Sequence, residues 1–414
     1  MFMIIKPKIK GFICVNAHPD GCRKSVEEQI NYAKSMTIDG PQRALIIGCS
    51  SGYGLASRIA LGFSSSADTV GVYFDREPTE RKTASAGWYN NQYLESLAKK
   101  QGLVAQSLNV DAFQDDAKLS VIELIKNTIK EVDLVVYSVA APRRYVESEE
   151  KLYSSVLKPV GEGFQGKTIN TDKGEISTVA LEAATPEEID ATVKVMGGED
   201  WYHWIEALSN AGVLSTKCKT IAYTYIGEEL TQPIYGKATI GLAKKDLDQT
   251  VVKIDALLNN TDDESIQIQT ETQDKRAFIG VLKALVTQSS AAIPVMPLYI
   301  SLLYKVMKER GVHEGCIEQI TRMLSTGLYG NVCHKDSAGR LRVDEHELEE
   351  SVQAEVKHRW HLINNENLRD LSDFDGYKND FLRLFGFGCQ GIDYEASVGT
   401  LHKGSIASDL PENV

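Results

Sequence analysis

The sequence RALIIGCSSGYG, residues 43–54, carries the strongest structural signal in the chain. An apolar run leads into a turn that contains Gly48, Gly52 and Gly54, and a helix-like pattern follows the turn. Glycine permits a tight turn and lets a ligand approach the backbone closely, while the free N–H groups at the start of a helix favour a phosphate group. This strand, turn and helix therefore predict the βα unit of a dinucleotide-binding fold.

The residues that follow repeat the alternation of strand and helix. Strands are expected at 43–48, 69–74, 104–110 and 132–140, and helices at 52–63, 89–100 and 116–130. Runs of β-branched residues that are bounded by turns and separated by helices indicate a parallel sheet with crossover connections. We therefore expect an α/β fold with a doubly wound parallel (Rossmann) sheet.

Later segments elaborate this sheet. Residues 166–178 alternate polar and apolar side chains around a TDKG turn and predict an inserted β-hairpin at the carboxyl edge of the sheet. We expect a strand at 220–226, a helix at 240–258, a polar surface excursion at 259–275 and a strand at 277–287. The predicted organisation is an elaborated Rossmann cofactor-binding and catalytic domain, residues 1–321, with a charge-rich helical C-terminal lobe, residues 322–414, packed on it.

The composition argues against several classes of partner and site. The chain has 45 Lys+Arg against 57 Asp+Glu, a net charge of −12, so binding to nucleic acid is not expected. Seven scattered cysteines without a CxxC pair are typical of a reduced, cytoplasmic protein. Residues 284–304 carry no charge, but Pro294 and Pro297 interrupt any long helix, so we expect a buried core segment and no membrane span. The eight histidines show no metal-binding spacing, and we expect no metal.

Polar and small residues stand where the predicted strands end. Asp75 lies 21 residues after Gly54, where a carboxylate accepts the hydroxyls of an adenosine ribose and repels a 2′-phosphate. This position favours NADH over NADPH, although the neighbouring Arg76 offers a charge that could neutralise a phosphate. The predicted cofactor-binding residues of the turn and the strand ends are Gly48, Cys49, Ser50, Ser51, Gly52, Tyr53, Phe74, Asp75, Asp111, Ala112, Val139 and Ala140.

Tyr235 and Lys244 are the candidate catalytic residues beside this cofactor site. A phenol supplies a proton or a hydrogen bond to a developing oxyanion, and an ammonium group binds the cofactor ribose. Lys244 lies nine residues after Tyr235, and at about 100° per residue this step places the two residues about half a turn apart around a helix. Tyr235 must therefore lie in a loop or a distorted first turn, and Pro233 and Gly236 make that plausible.

The chain resembles a known family at these positions. Tyr225-x9-Tyr235-x8-Lys244, the GCSSGYG turn, AAPRR at 140–144, the hairpin and HEGCIEQITRM at 313–323 are similar to the single-chain NADH-dependent trans-2-enoyl-CoA and enoyl-ACP reductases. This family lies within the short-chain dehydrogenase/reductase superfamily. The resemblance implies NADH as cofactor and reduction of the trans-2 double bond of an enoyl thioester in fatty acid biosynthesis, by a cytoplasmic monomer.

The resemblance also implies roles for individual residues. Tyr235 would be the proton donor, Lys244 would bind NADH, and Tyr225 would contact the substrate carbonyl, while Leu285, Val286 and Thr287 would line the cofactor. Descriptions of the family attach a flavin label to the C-terminal region, but residues 322–414 contain no flavin fingerprint and no flavin is expected.

Two other functions stay open at this point. A short-chain dehydrogenase acting on a ketone or alcohol places a serine about thirteen residues before the tyrosine, and Ala222 occupies that position here. A non-catalytic NADH-sensing protein would be expected to lack the Tyr235 and Lys244 pair, which is present.

The enoyl-CoA or enoyl-ACP carrier is anionic, so a protein of net charge −12 must receive it through local cations. We expect basic residues to ring the mouth of the substrate site, namely Arg143, Arg144, Lys151, Lys158, Lys167 and Lys173. The sequence leaves the acyl chain length and the choice between the two carriers open.

Overall fold

The computed structural model describes residues 2–259, 275–330 and 332–401. The predicted excursion at 259–275 lies outside the described residues apart from its two end positions. The strands are β1 Phe2–Ile4, β2 Ile9–Lys10, β3 Ile13–Cys14, β4 Arg43–Ile47, β5 Asp68–Tyr73, β6 Ala105–Asn109, β7 Val132–Tyr137, β8 Arg143–Val146, β9 Lys151–Ser154, β10 Phe164–Asn170, β11 Glu175–Leu181, β12 Leu214–Thr224, β13 Ala277–Val281, β14 His334–Lys335, β15 Leu341–Arg342 and β16 Ser397–Gly399.

Helices connect these strands and form the C-terminal part of the chain. They are α1 Pro19–Lys34, α2 Gly52–Ser64, α3 Ala86–Lys100, α4 Asp115–Thr128, α5 Pro186–Met196, α6 Glu199–Asn210, α7 Thr239–Asn259, α8 Gln288–Ala291, α9 Met296–Glu309, α10 Cys316–Arg322, α11 Glu345–Leu348, α12 Glu350–Leu362, α13 Leu368–Leu371 and α14 Phe374–Arg383. A 3-10 turn spans Glu147–Glu149, and a π-helical turn spans Met323–Leu328.

The central sheet has eight strands in the order β14-β15-β13-β12-β7-β4-β5-β6. Its strand pairs are parallel except for the pair of β14 with β15. One apolar cluster joins the sheet to α4, α6 and α7, and a second joins it to α1, α2, α3 and α9. Helices therefore cover both faces, and the predicted doubly wound Rossmann sheet is confirmed.

Two hairpins lie between β7 and α5 in the chain. The predicted one is present as β10 paired with β11, from Phe164 opposite Leu181 to Asn170 opposite Glu175. A second hairpin of β8 and β9, which the sequence pattern did not predict, follows β7 directly. It begins in the AAPRR segment at 140–144, so it lies next to the carboxyl end of a central strand.

The last parallel strand before the C-terminal part of the chain is shorter than the sequence pattern suggests. The strand expected at 277–287 ends at Val281, because side chains take over the backbone hydrogen bonds that a neighbouring strand would make. The backbone N–H of Ala284 donates to Glu347 at 2.6 Å, and that of Val286 donates to the Tyr304 hydroxyl at 3.2 Å. Residues 282–287 thus form a loop that is fixed in place by other parts of the chain.

The uncharged stretch 284–304 contains the last four residues of this loop, α8 and the first part of α9. Within the described part of the chain, no helix is both long enough and apolar enough to cross a membrane. Helix α9 is instead packed in the core, where its residues Leu298 to Leu303 are fully buried. The expected helical C-terminal lobe packs here, because α12 and α14 lie against α9, and β15 adds a strand to the sheet. The domain boundary at 321/322 stays a prediction.

Candidate active site

A cavity of about 720 Å³ opens at the carboxyl ends of β4, β5, β7, β12 and β13. This edge is where doubly wound sheets bind their ligands. Sixteen of the residues that the sequence predicts line the cavity, namely Gly48, Ser50, Ser51, Gly52, Tyr53, Phe74, Asp75, Asp111, Ala112, Val139, Ala140, Tyr225, Tyr235, Lys244, Leu285 and Thr287. The structure does not bring Cys49 and Val286 to its surface. Cys49 is fully buried, and its backbone N–H already donates to the carbonyl of Val72 at 3.0 Å.

The glycine turn leaves room for a ligand at the N-terminus of α2. Gly48 has a φ of +88°, and a Cβ there would lie 2.3 Å from the carbonyl oxygen of Ser138. A Cβ on Gly54 would lie 1.9 Å from the carbonyl oxygen of Gly48, so only glycine fits. The N-cap residue Ser51 does not cap the helix with its side chain. The first N–H groups of α2 can therefore bind an anion such as a pyrophosphate.

Asp75 follows β5 and presents a buried carboxylate to the cavity. Its Oδ2 atom has no hydrogen-bond partner among the described residues, and burial raises its pKa. Gly87 packs so closely that a Cβ there would lie 2.2 Å from this oxygen. The Arg76 guanidinium donates instead to the carbonyl of Val15 at 2.9 Å, outside the cavity lining. The side chains of Ser85 and Ser50 approach this carboxyl group, and it can in addition accept the hydroxyls of a ribose, while Arg76 donates away from the cavity.

Tyr225 and Tyr235 form a pair on the other side of the cavity. Tyr235 lies in the turn that precedes α7, as its spacing from Lys244 predicts, and its ring meets that of Tyr225 edge to face with 4.9 Å between centroids. Burial raises the pKa of both phenols, so both are neutral at pH 7. The Tyr225 hydroxyl lies 2.9 Å from Glu347, whereas the Tyr235 hydroxyl donates to no described residue.

Lys244 places a cation in the same cavity. It lies on the second turn of α7, where its ammonium group donates to the carbonyl of Tyr223 at 3.3 Å. Burial lowers its pKa to about 8, and within the described ranges no carboxylate lies within ion-pair distance of it. The nearest acid on the helix, Asp248, pairs with Arg340 at 3.1 Å. Lys244 is therefore available to hydrogen-bond a ligand hydroxyl.

Glu347 lies behind the cavity lining, in contact with Tyr225, and is a residue that the sequence pattern did not reveal. It lies on α11, is fully buried, and contacts Tyr225, Tyr299 and the backbone N–H of Ala284. The run DEHELEE at 344–350 predicts a solvated acidic face, because nothing in it distinguishes one buried acid from its exposed neighbours. Only the tertiary packing of α11 on α9 identifies it.

The expected ring of cations is wrong for most of its members. Arg144 is 5% exposed and pairs with Glu199 at 2.8 Å, and Lys158 pairs with Glu188 at 2.6 Å. Lys167 donates to the carbonyls at the end of α12. Of the six predicted cations, Arg143 is the one that lines the cavity, and it is exposed. Arg144, Lys158 and Lys167 are used in structural contacts, because partly buried carbonyls and acids must be paired. Lys151 and Lys173 are exposed and do not line the cavity.

Comparison with known families gives three adjoining matches. Residues 4–80 match the NAD(P)H binding domain of trans-2-enoyl-CoA reductase, and residues 82–329 match the trans-2-enoyl-CoA reductase catalytic region. Residues 335–398 match a family described as the enoyl reductase FAD binding domain. Among the described residues, this last segment contributes none of the lining of the large cavity. A second cavity beside α14 has only about 120 Å³, too little for a flavin.

Individual proteins match over almost the whole chain. An enoyl-[acyl-carrier-protein] reductase [NADH] of Saccharophagus degradans is 53% identical over 99% of this chain and 100% of its own length. One of Idiomarina loihiensis is 52% identical over 96% of this chain and 98% of its own. The crystal structure of a Treponema denticola trans-2-enoyl-CoA reductase in complex with NAD is 44% identical, covers 96% of this chain and 98% of that one, and superposes with a TM-score of 0.89.

Proposed function

The chain belongs to the trans-2-enoyl-CoA reductase family, and from this premise we propose that it reduces the trans-2 double bond of an enoyl thioester with NADH, in fatty acid biosynthesis. The substrate is an enoyl-ACP or an enoyl-CoA. The observation that carries the proposal is the placement of Tyr225, Tyr235 and Lys244 in one cavity with the glycine turn and Asp75.

The residues present fit NADH. We assign the pyrophosphate to the N-terminus of α2, the adenosine ribose to the carboxylate of Asp75, and the nicotinamide ribose to Lys244. When bound, NADH supplies the hydride that is added to the β carbon of the substrate. The glycines of the turn and Gly87 keep the cavity open at the places where a side chain would collide with the backbone or with Asp75.

Tyr235 acts on the charge that develops on the substrate. Adding a hydride to the β carbon leaves negative charge on the thioester oxygen, as an enolate, and a neutral phenol can donate a hydrogen bond to it. The raised pKa of Tyr235 keeps its proton in place, and that proton is not used by another described residue. Tyr225 contacts the same oxygen, and the α carbon then takes a proton from Tyr235, which is reprotonated from solvent, to complete the reduction.

The proposal is tested by following NADH oxidation by absorbance with crotonyl-CoA and a long-chain enoyl-ACP, and with a small ketone as control. We expect turnover with at least one thioester and none with the ketone. Tyr235→Phe should lower kcat by on the order of 100-fold while NADH affinity stays nearly unchanged, because the lost hydroxyl acts on the enolate. Turnover of the ketone alone would favour a dehydrogenase, and NADH binding without any turnover would favour a sensor.

We also propose that the protein acts as a monomer in the cytoplasm. All seven cysteines are free, and five of them are buried, which is typical of a reducing compartment. Sedimentation of the purified protein would test the monomer, and a stable dimer at micromolar concentration would contradict it.

A further inference from the structure

Glu347 belongs to a chain of hydrogen bonds in which the donor and the acceptor of nearly every bond can be identified. The Gln353 Nε2 donates to the backbone carbonyl of Glu347 at 2.7 Å and to the Tyr299 oxygen at 3.1 Å. Because Nε2 is only a donor, Tyr299 must direct its own hydrogen elsewhere, and Glu347 Oε1 lies 2.7 Å away. The backbone N–H of Ala284 donates to the other carboxyl oxygen, Oε2, at 2.6 Å.

One hydrogen position remains open, between Glu347 Oε1 and the Tyr225 oxygen 2.9 Å away. If Glu347 is ionised, Tyr225 must donate its hydrogen to the carboxylate, and it then has none for a substrate. If Glu347 is protonated, its O–H donates to Tyr225, and the Tyr225 hydrogen is free. The Thr231 hydroxyl donates to the carbonyl of Glu228 at 3.0 Å, so toward Tyr225 it can only accept, across a long 3.3 Å.

We propose that Glu347 acts in its protonated form as a positioning residue, which donates to Tyr225 so that the Tyr225 hydroxyl becomes a second donor to the thioester oxygen. This inference rests on the proposed function. The chain then runs in one direction, from Gln353 through Tyr299 and Glu347 to Tyr225 and the substrate, and each protein member after Gln353 both accepts and donates. Glu347 itself does not touch the substrate.

The surroundings of Glu347 favour its neutral form. No cation lies within ion-pair distance of its carboxyl group among the described residues, and burial, the largest influence, raises its pKa. Among the described residues, the charged group that acts on Glu347 is Lys283, whose ammonium donates to the carbonyls of Ala284 and Glu314 instead. The titratable groups on the other elements around it are the neutral phenols Tyr53, Tyr225 and Tyr299.

Two substitutions of Glu347 distinguish the effect of its ionisable group from the effect of its side-chain length. Glu347→Gln removes the ionisable group but keeps the length, and its oxygen can accept from Ala284 while its NH2 group donates to Tyr225. The NH2 group cannot accept from Tyr299, so the Tyr299 hydrogen loses its acceptor and we expect a lower Tm in this variant. Glu347→Asp keeps the carboxyl group but cannot reach both partners. With crotonyl-CoA and NADH we expect Gln to keep kcat within about 3-fold of wild type and Asp to lower it on the order of 10-fold. Glu345→Gln is the matched control, because Glu345 lies on the same helix but is half exposed, and it should leave kcat unchanged.

A double-mutant cycle with Tyr225→Phe shows whether Glu347 acts through Tyr225. In that background Glu347→Asp should lower kcat by less than about 2-fold, since no hydroxyl is left to orient. A Gln variant that is as slow as Asp, or an Asp loss that persists in full without the Tyr225 hydroxyl, would overturn the inference. Absence of wild-type turnover on any enoyl thioester would overturn the proposed function and this inference with it, whereas wild-type turnover with the wrong variant pattern overturns this inference alone.

Discussion

At the scale of the single residue, the carboxyl group of Asp75 can determine the preference for NADH over NADPH. Its buried Oδ2 has no protein donor in the described part of the chain, so a ligand hydroxyl is the group that can satisfy it. A 2′-phosphate would bring further negative charge against the same oxygen. We expect Asp75→Ala to narrow the preference for NADH over NADPH by on the order of 10-fold, measured as the ratio of kcat/KM.

Arg76→Ala is the matched control for this prediction. Because its guanidinium is held by the carbonyls of Val15 and Thr83, removing it should leave the ratio of the two cofactors unchanged. If the wild-type enzyme prefers NADPH, or if Arg76→Ala shifts the ratio as much as Asp75→Ala, then Arg76 and not Asp75 determines the preference between the two cofactors.

Lys244 gives the site a pH dependence with a definite sign. Burial lowers its pKa to about 8, so the ammonium is charged below that pH and loses its proton as the pH rises through it. If the charged form binds the nicotinamide ribose, the Kd for NADH should increase above about pH 8. Titration by NADH fluorescence at pH 6.5 to 9.5 should show this increase in wild type and in Lys253→Ala, which changes an exposed lysine on the same helix. In Lys244→Met the Kd for NADH should be higher than in wild type and should not change with pH across this range. If the Kd of that variant still increased with pH as in wild type, Lys244 would not be the titrating group.

At the scale of the element, two of the three glycines of helix α2 have opposite steric requirements. A Cβ on Gly54 would lie 1.9 Å from a backbone oxygen, whereas a Cβ on Gly62 would find no atom closer than 4.0 Å. Gly54→Ala should therefore displace the turn, lower the Tm and weaken NADH binding by at least on the order of 10-fold. Gly62→Ala should leave binding unchanged and stabilise the protein by about 0.5–1 kcal/mol, because alanine favours a helix over glycine. Thermal melts with and without NADH measure both, and equal behaviour of the two variants would contradict the packing argument.

Strands and helices were predictable where local pattern and tertiary role agree. The run at 43–47 is apolar and β-branched because parallel strands are buried on both faces, so its pattern and its place coincide. The run at 277–287 is equally apolar, yet only its first half is a strand. The second half is a loop because Gln319, Tyr304 and Glu347, all distant in sequence, bind its backbone N–H groups. No local pattern contains that information.

At the scale of the whole molecule, the candidate site also combines residues with a local sequence signal and a residue that only tertiary packing places there. The turn, the strand ends, Tyr235 and Lys244 carry local signals of spacing and residue type, and the sequence predicted them. Glu347 comes from the C-terminal part of the chain, more than a hundred residues after Tyr225, and its acid is one of many in its segment. A buried contact of this kind depends on how α11 packs on α9, which the sequence pattern alone does not reveal.

The net charge of −12 acts on the whole molecule, and it opposes an anionic thioester carrier. Arg143 is the exposed predicted cation at the cavity, so it should supply much of the local attraction, which salt screens over about 8 Å at physiological ionic strength. Raising the ionic strength should increase the KM for the thioester with little change in kcat, and Arg143→Ala should raise the KM at low salt and flatten its salt dependence. Arg144→Ala should instead lower the Tm, because it removes a buried arginine that pairs with Glu199. The salt dependence of the KM should stay unchanged in this variant. A slope that Arg143→Ala does not alter would show that the carrier docks at another surface or through apolar contacts.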